Sequence, residues 1–266
     1  MSVGNFRSGI LVSLELLFFL VVANDSRAQV APATPAQPVS SEAEKYRLEH
    51  EEQLHVDWAN LKRYQAADQQ AGPPAAGENR VVFYGDSITD AWIETVPEFF
   101  LGKPYLDRGI SGQTTPQMLV RMRQDVVNLQ PRVVVILAGT NDIAGNTGPS
   151  TPEMIEDNFK SMVEIARANG IQPVLASILP ASDYPWKPGL EPGPKIVALN
   201  VWLRSYAEKN GLVYLDYYSA MVNDKMGLPA NLSKDGVHPN KDGYAIMGPL
   251  AEKAIVAPLS PTAPKK

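Results

Sequence analysis

The sequence predicts an α/β fold in which a five-stranded parallel sheet is covered by helices on both faces. Five short apolar runs alternate with amphipathic segments of helical periodicity. Several of these runs are apolar without alternation, as expected for strands that are buried on both faces. The predicted strands are residues 81–84, 105–110, 133–138, 173–179 and 212–215.

Helix start and stop signals separate these strands. Thr115 and Thr151 each precede a proline, a pattern that places a capping residue before the first helical position. Gly170 and Gly211 stand where C-terminal caps are expected. The pair at 248–249, Gly-Pro, predicts that the last helix is kinked or broken there. Two apolar stripes are predicted to face the sheet: Met118, Met122, Val126 and Leu129, and Ile155, Phe159, Met162 and Ala166.

The first 28 residues have the pattern of a signal peptide. Arg7 precedes a 15-residue, mainly apolar run at 9–23, and the small residues around Ala28 predict cleavage after it. The run contains Glu15 and is shorter than the roughly 20 apolar residues that span a bilayer, which disfavours a membrane anchor. The sequence therefore predicts an exported protein, periplasmic or secreted, with no stable membrane span.

The rest of the chain is predicted to divide into an extended Pro/Ala-rich linker at 29–40, an N-terminal helical segment at 41–78, the α/β domain at 79–256 and a disordered tail at 257–266. In the helical segment, Ser41 and Glu44 form a capping-box pattern that opens a helix expected to continue to about Gln70. Leu54, Trp58 and Leu61 are predicted to share one face of that helix.

The composition excludes several classes of function. The formal charge is −5, and it stays −5 without residues 1–28, because that segment contains two arginines and two acidic residues. An acidic chain does not attract polyanions, so no nucleic-acid partner is predicted. The chain has no cysteine, which excludes disulfides, thiolate metal sites, a cysteine nucleophile and a lipid-modified cysteine. The sequence does not predict an oligomeric state.

Polar loops follow the first three predicted strands, at 85–89, 111–114 and 139–142. A fourth polar loop, 235–240, lies before the last helix. In an open parallel sheet, ligands bind beyond the carboxyl ends of the strands, near the point where the strand order reverses. These loops are therefore the predicted site.

Ser87 is the candidate nucleophile, because it lies at a strand-to-helix turn where backbone N–H groups favour developing negative charge. The chain has three histidines that could act as its base. His50 and His55 fall on the N-terminal helix five positions apart, where a solvated helix face explains both. His238 follows Asp235 by three residues, so that carboxylate can orient the ring. The alternative is a capped turn in which Asp235 binds only backbone N–H groups.

The N–H groups of Ser87 and Gly112 and the side-chain amide of Asn141 are candidate donors to an oxyanion. The alternatives are a turn glycine at Gly112 and a helix cap at Asn141. Asp86 and Asp142 are predicted to support their loops by accepting hydrogen bonds from backbone N–H groups.

Trp186 and Tyr184 are candidates for a substrate pocket, because they lie in a Pro-rich loop, 180–194, that follows the fourth strand. Core or rim packing is the interpretation favoured for Trp92.

The segments FYGDSITD, RGISGQTT, LAGTNDIAG and DGVHPN resemble, in order, the four sequence blocks of the SGNH (GDSL-type) hydrolases, over about residues 80–255. This resemblance implies a three-layer α/β/α fold with the flavodoxin-like strand order 2-1-3-4-5 and no metal or organic cofactor. It implies that Ser87 is the nucleophile, His238 the base and Asp235 its partner. It also implies that Gly112 and Asn141 are oxyanion donors together with the Ser87 amide.

Two positions depart from the family pattern: Ile88 replaces the leucine of the GDSL name, and Gln113 stands where aspartate is frequent. The run at 85–89 also lacks the second glycine of the GxSxG motif of α/β-hydrolases. The implied function is a serine-dependent carboxylic-ester hydrolase that removes short acyl groups, such as acetyl, from carbohydrate or other small esters. A lysophospholipase or thioesterase acting on longer chains is an alternative, and a non-catalytic carbohydrate-binding protein is another.

Overall fold

In the computed structural model, which describes residues 41–259, the described part of the chain contains one parallel sheet of five strands in the order 2-1-3-4-5. The fold class and strand order predicted above are confirmed. The strands are β1 Val81–Gly85, β2 Tyr105–Gly109, β3 Val133–Leu137, β4 Gln172–Ala176 and β5 Val213–Leu215. Each strand begins within one residue of its predicted first residue.

Helices alternate with these strands. Their bounds are α1 Ser41–Val56, α2 Gln65–Ala71, α3 Ser87–Thr95, α4 Thr115–Asp125, α5 Thr140–Ala144, α6 Pro152–Ala168, α7 Gly193–Lys209, α8 Tyr218–Met221 and α9 Lys241–Leu259. Short 3₁₀ helices occupy Pro97–Phe99 and Val127–Leu129.

Two separate hydrophobic clusters cover the two faces of the sheet, which makes the fold three-layered. Side chains alternate along β1, so that Tyr84 packs with helices α4, α6 and α7, while Phe83 packs with α3 and α9. Both predicted apolar stripes are buried in the first cluster, as expected. Trp92 is buried in the second, where its ring stacks on Phe99 at 4.5 Å and on Tyr244 at 5.3 Å. The packing interpretation of Trp92 is therefore confirmed.

Glycines at the ends of β1 and β2 allow α3 to lie directly against the sheet. A Cβ atom on Gly85 would lie 2.1 Å from Thr89 Oγ1, and one on Gly109 would lie 2.0 Å from the backbone nitrogen of Asp90. No real side chain tolerates such a contact, so only glycine permits this approach. The close packing keeps the first turn of α3, which begins at Ser87, at the carboxyl edge of the sheet.

The predicted N-cap of α4 was wrong, and α9 ends later than the predicted domain boundary. The N-cap of α4 is Thr114 rather than Thr115, because Thr114 forms the capping box with Gln117. Helix α9 is not broken at Pro249 and continues to Leu259, three residues into the predicted tail. The partly buried Leu259 packs against the second cluster, which favours the extra turn. Residues 260–266 lie outside the described residues.

The helix predicted to reach Gln70 ends instead at Val56. The Asp57 side chain accepts hydrogen bonds from the amides of Leu61, at 2.9 Å, and Lys62, at 3.0 Å, and this local turn competes with helix continuation. The expected apolar face does not form, because Trp58 and Leu61 are exposed.

The chain divides into units of residues 1–44 and 45–266. Only residues 41–44 of the first unit are described, so the predicted signal peptide and linker lie outside the described residues. None of the described helices is both long and apolar enough to cross a bilayer.

Candidate active site

Ser87 is the first residue of α3, where its N–H has no acceptor within the helix. Asp86 caps this helix, accepting a hydrogen bond from the Ile88 amide at 3.0 Å. Burial raises the pKa of Asp86 to about 6, although the Ile88 N–H and the nearby His238 oppose that rise. Asp86 thus connects the end of β1 to the first turn of α3.

The structure brings Ser87, His238 and Asp235 together in one hydrogen-bonded chain, although 151 positions separate the serine from the histidine. Ser87 Oγ lies 2.9 Å from His238 Nε2, and His238 Nδ1 lies 2.6 Å from Asp235 Oδ2. With Nδ1 donating to the carboxylate, Nε2 is free to accept the serine proton. This arrangement can generate a nucleophilic alkoxide at Ser87.

The second carboxylate oxygen of Asp235 accepts three hydrogen bonds that hold the loop. They come from the amides of His238, at 2.8 Å, and Val237, at 3.0 Å, and from Ser233 Oγ, at 3.0 Å. Partial burial by itself would raise the pKa of Asp235, but the hydrogen bonds from His238 and Val237 outweigh it and lower the pKa to about 2. Asp235 therefore both caps the turn and hydrogen-bonds the His238 ring, which the sequence offered as alternatives.

The three candidate oxyanion donors lie at the start of α3, in the loop after β2 and in the first turn of α5. Gly112 has a φ of 79°, and no atom of residues 41–259 accepts a hydrogen bond from its amide. Asn141 is buried, and its Nδ2 donates to Gln113 O at 2.9 Å and approaches Asp86 Oδ2 at 3.4 Å. The Asn141 amide thus contacts Asp86, which precedes Ser87 in the chain, and Gln113, which follows Gly112.

Asp142 joins the second and third loops. Its carboxylate accepts hydrogen bonds from the Thr115 amide, at 3.0 and 3.1 Å, and from Thr115 Oγ1. Burial raises the pKa of Asp142, while the bonds from Thr115 lower it, and burial prevails. These contacts connect the start of α5 to the start of α4.

Trp186 and Tyr184 differ in their access to the site. Trp186 is 44% exposed, and its ring lies 6.1 Å from that of His238. Tyr184 is fully buried and stacks on Trp186 at 5.0 Å, so it cannot line a pocket surface as predicted. Large rings need burial on one face to be held in place, and Tyr184 provides that support for Trp186.

His55 is exposed on α1, consistent with the solvated interpretation, and the side chain of His50 lies outside the described residues. Among the described residues, no cluster of three or more histidine, aspartate or glutamate side chains could hold a metal ion.

Sequence reasoning missed two residues around the site, Arg121 and Asn146. Arg121, fully buried, donates to Gly85 O at 2.9 Å, to Asp125 Oδ2 at 2.9 Å and to Gln113 Oε1. Asn146 contacts both Asn141 and Trp186. A signal for Arg121 was present, because it and Asp125 stand four residues apart on the buried stripe of α4, a spacing that favours ion pairing. No comparable signal marks Asn146.

The α/β fold thus brings a serine, a histidine and an aspartate into one hydrogen-bonded chain, an arrangement that serine hydrolases use. A family model described as the GDSL-like Lipase/Acylhydrolase family matches residues 83–246, which is more than half of the chain. The chain belongs to this family, whose members form an esterase class. The resemblance noted in the sequence is thereby confirmed.

A solved structure agrees with this membership. The chain is 44% identical to a GDSL-like lipase from Bacteroides thetaiotaomicron VPI-5482, with a TM-score of 0.73 over 75% of this chain and 98% of that one. It is 21% identical to a catalytic mutant of Axe2, an acetylxylan esterase from Geobacillus stearothermophilus, with a TM-score of 0.56 over 69% of this chain and 96% of that one. The latter likeness concerns the fold alone.

Among curated proteins, the chain is 29% identical over 127 residues to the uncharacterized lipoprotein YqeF of Bacillus subtilis strain 168. The match covers 41% of this chain and spans about half of that relative, 52% of its length.

Proposed function

We propose that this acylhydrolase cleaves carboxylic esters through an acyl-serine intermediate, with Ser87 as nucleophile, His238 as general base and Asp235 as its orienting partner. The observation that carries the proposal is the continuous contact from Ser87 Oγ to His238 Nε2, 2.9 Å, and from His238 Nδ1 to Asp235 Oδ2, 2.6 Å. Distances of about 2.6–3.2 Å allow direct proton transfer between such groups.

In this mechanism Ser87 Oγ attacks the ester carbonyl carbon while His238 Nε2 accepts the serine proton. The resulting oxyanion receives hydrogen bonds from the amides of Ser87 and Gly112 and from Asn141 Nδ2. His238 then donates its proton to the departing alcohol. A water molecule, deprotonated by His238, attacks the acyl-serine carbonyl. The bond to Ser87 Oγ then breaks, His238 returns the proton to Ser87 Oγ, and the carboxylic acid is released.

The preferred substrate carries a short acyl group, such as acetyl, on a carbohydrate or another small alcohol. Trp186 supports this choice, because an exposed aromatic ring 6.1 Å from the His238 ring offers a flat apolar face to a sugar. The fold likeness to an acetylxylan esterase is compatible with the same class of substrate.

Export to the periplasm or the medium is part of the proposal. Its support is the signal-peptide pattern of residues 1–28 and the distant similarity to a lipoprotein.

The first test compares p-nitrophenyl acetate hydrolysis by the wild type and by Ser87→Ala. We expect kcat to fall by at least roughly 1,000-fold, because the nucleophile is lost. Ser161→Ala is the matched control, since the Ser161 hydroxyl only donates to Asp157 O along α6. Equal rates for wild type and Ser87→Ala would refute the serine mechanism and favour a non-catalytic role.

The substrate is tested with p-nitrophenyl esters of increasing acyl length, followed by acetate release from acetylated glycans. We expect kcat/KM to be highest for acetyl or propionyl esters. A maximum beyond about eight carbons would instead indicate a lysophospholipase or thioesterase, because each additional buried methylene contributes about 0.8 kcal/mol only where a long apolar pocket exists.

A further inference from the structure

Asn146, in the loop after α5, contacts two different parts of the candidate active site. Its Nδ2 donates to Asn141 Oδ1 at 2.9 Å and approaches Gly112 O at 3.4 Å. Its Oδ1 accepts the indole hydrogen of Trp186 at 3.2 Å. A single side-chain amide therefore joins the proposed oxyanion donor Asn141 to the aromatic ring that lies beside His238.

The contact with Asn141 determines which way that side chain faces. A side-chain amide has an acceptor oxygen on one side and two donor hydrogens on the other, and a half-turn exchanges them. Because Asn146 donates to Oδ1, Asn141 must present Nδ2 in the opposite direction, toward Gln113 O and Asp86 Oδ2. Nδ2 is the group needed for an oxyanion donor.

The main chain holds Asn146 at the required distance. The Asn146 amide donates to Asn141 O at 3.0 Å, immediately after Gly145 ends α5 with a φ of 71°. This closing turn places the two asparagine side chains side by side. A donor in such a fixed position costs little reorganisation when charge develops on the substrate.

The loop that carries Trp186 is attached to the same place by further contacts. Lys187 Nζ donates to Ala144 O, and the Trp186 ring stacks on the buried Tyr184. The Trp186 ring is therefore held both by the stack on Tyr184 and by the hydrogen bond from its indole N–H to Asn146 Oδ1.

We propose that Asn146 is a positioning residue, which orients the Asn141 amide toward the oxyanion. Through its hydrogen bond to the Trp186 indole, Asn146 also couples that amide to the aromatic ring proposed to contact the substrate. The proposal rests on the function proposed above. It requires Asn146 to act through Asn141, and it makes Trp186 a contributor to kcat as well as to substrate binding.

A double-mutant cycle on p-nitrophenyl acetate hydrolysis tests this proposal. In the wild type, Asn146→Ala should lower kcat by roughly 10-fold to 100-fold with KM changed by less than about 3-fold, because a loosened donor affects the transition state more than the ground state. In an Asn141→Ala background the same change should alter kcat by less than about 2-fold, because coupled residues are not additive.

Three further variants sharpen the result. Asn146→Asp retains the shape and the acceptor for Trp186 but loses the N–H that binds Asn141, so it should lower kcat as Asn146→Ala does. Trp186→Phe retains a ring but loses the indole hydrogen, and kcat should fall by roughly 2-fold to 10-fold. Asn169→Ala is the matched control and should match the wild type, because the Asn169 amide lies at an exposed helix end, where it donates to Ile165 O and accepts from Arg123 Nη1.

The outcomes separate the two proposals. If Asn141→Ala lowers kcat but Asn146→Ala and Asn146→Asp do not, Asn146 has no positioning role. An equal loss from Asn146→Ala in both backgrounds would also overturn the proposal, because it would show that Asn146 acts independently of Asn141. If Asn141→Ala itself leaves kcat unchanged, the oxyanion assignment fails, and the positioning role fails with it.

Discussion

At the scale of single residues, Asp235 combines two tasks that the sequence offered as alternatives. One carboxylate oxygen caps the turn through the amides of Val237 and His238, and the other contacts His238 Nδ1 at 2.6 Å. The capping bonds fix the carboxylate, so the imidazole meets a partner that is already oriented. Such preorganisation is what an orienting residue contributes to a serine hydrolase.

Replacing Asp235 with Asn should lower kcat by roughly 100-fold to 10,000-fold, because the neutral amide no longer stabilises the imidazolium that forms during the reaction. The pKa of Asp235 is lowered to about 2, so the carboxylate remains charged throughout the working pH range. Since the folded-state pKa lies below the unfolded value, its contribution to stability is present at neutral pH and is lost as the pH falls from about 4 toward 2.

Steady-state kinetics at neutral pH measure this effect. Asp157→Asn is the control, because Asp157 is an exposed aspartate that pairs with Lys160 on α6. A variant with wild-type kcat would show that the contact between Asp235 and His238 is structural only.

At the scale of elements, the irregular segment at 57–64 supports the loop that contains Gly112. Gln113 Nε2 donates to Ala59 O at 2.7 Å, while Gln113 Oε1 accepts from the buried Arg121. Arg121 also donates to Gly85 O, at the end of β1. Gln113, which replaces the aspartate that is frequent in the family, therefore connects this segment to Arg121, which is buried beneath the candidate site.

Gln113→Ala should lower the free energy of unfolding by roughly 2–4 kcal/mol, because it leaves the buried Arg121 N–H and the Ala59 carbonyl without partners and opens a cavity. Urea denaturation measures the change, and kcat should fall with it as the Gly112 loop loosens. Gln124→Ala is a matched control, because Gln124 Nε2 also binds this segment, at Leu61 O, but in an exposed position.

The control should cost less than about 1 kcal/mol, as is typical of an exposed hydrogen bond. Equal losses for Gln113→Ala and Gln124→Ala would contradict the claim that burial makes the Gln113 bonds important.

At the scale of the whole molecule, two buried carboxyl groups make stability depend on pH. Burial raises the pKa of Asp107 to about 7, partly opposed by the Gly109 N–H, and raises that of Asp86 to about 6. Asp107 Oδ2 is buried and has no hydrogen-bond partner among the described residues, which favours the protonated form. Both groups bind a proton more tightly in the folded state than in the unfolded state.

The sign of the effect follows from that difference. A raised folded-state pKa gives stability that is lost as the pH rises from the unfolded value, about 4, through the folded value. Wild-type protein should therefore be less stable at pH 7.5 than at pH 5. For Asp107 the loss is on the order of 2 kcal/mol, because one pKa unit corresponds to about 1.4 kcal/mol.

Asp107→Asn should remove most of this dependence, because asparagine is neutral at both pH values. Urea midpoints at pH 5 and pH 7.5 measure it, with Asp157→Asn as a control that should keep the wild-type difference. An unchanged difference in Asp107→Asn would show that Asp107 is already ionised in the folded protein at pH 5.

The amino-acid sequence by itself determined the strands, the polar segments at the strand ends and the choice of Ser87, His238 and Asp235 as candidate site residues. Buried strands such as 133–137 are apolar throughout, and that pattern is local, as are the polar loops that contain Ser87 and Asn141. Local patterns also placed Trp92 in the core, although not its stacking on Tyr244. The sequence could predict these features because each depends on neighbours a few positions away.

Only the tertiary structure decided how distant residues meet. It buried Tyr184 beneath Trp186, although both aromatic residues lie in the same predicted pocket loop. It also placed Asn146 between Asn141 and Trp186. Such contacts depend on how the loops pack together in space. Periodicity and composition describe neighbours along the chain, so they do not predict which way a side chain points between loops that meet only in the folded protein.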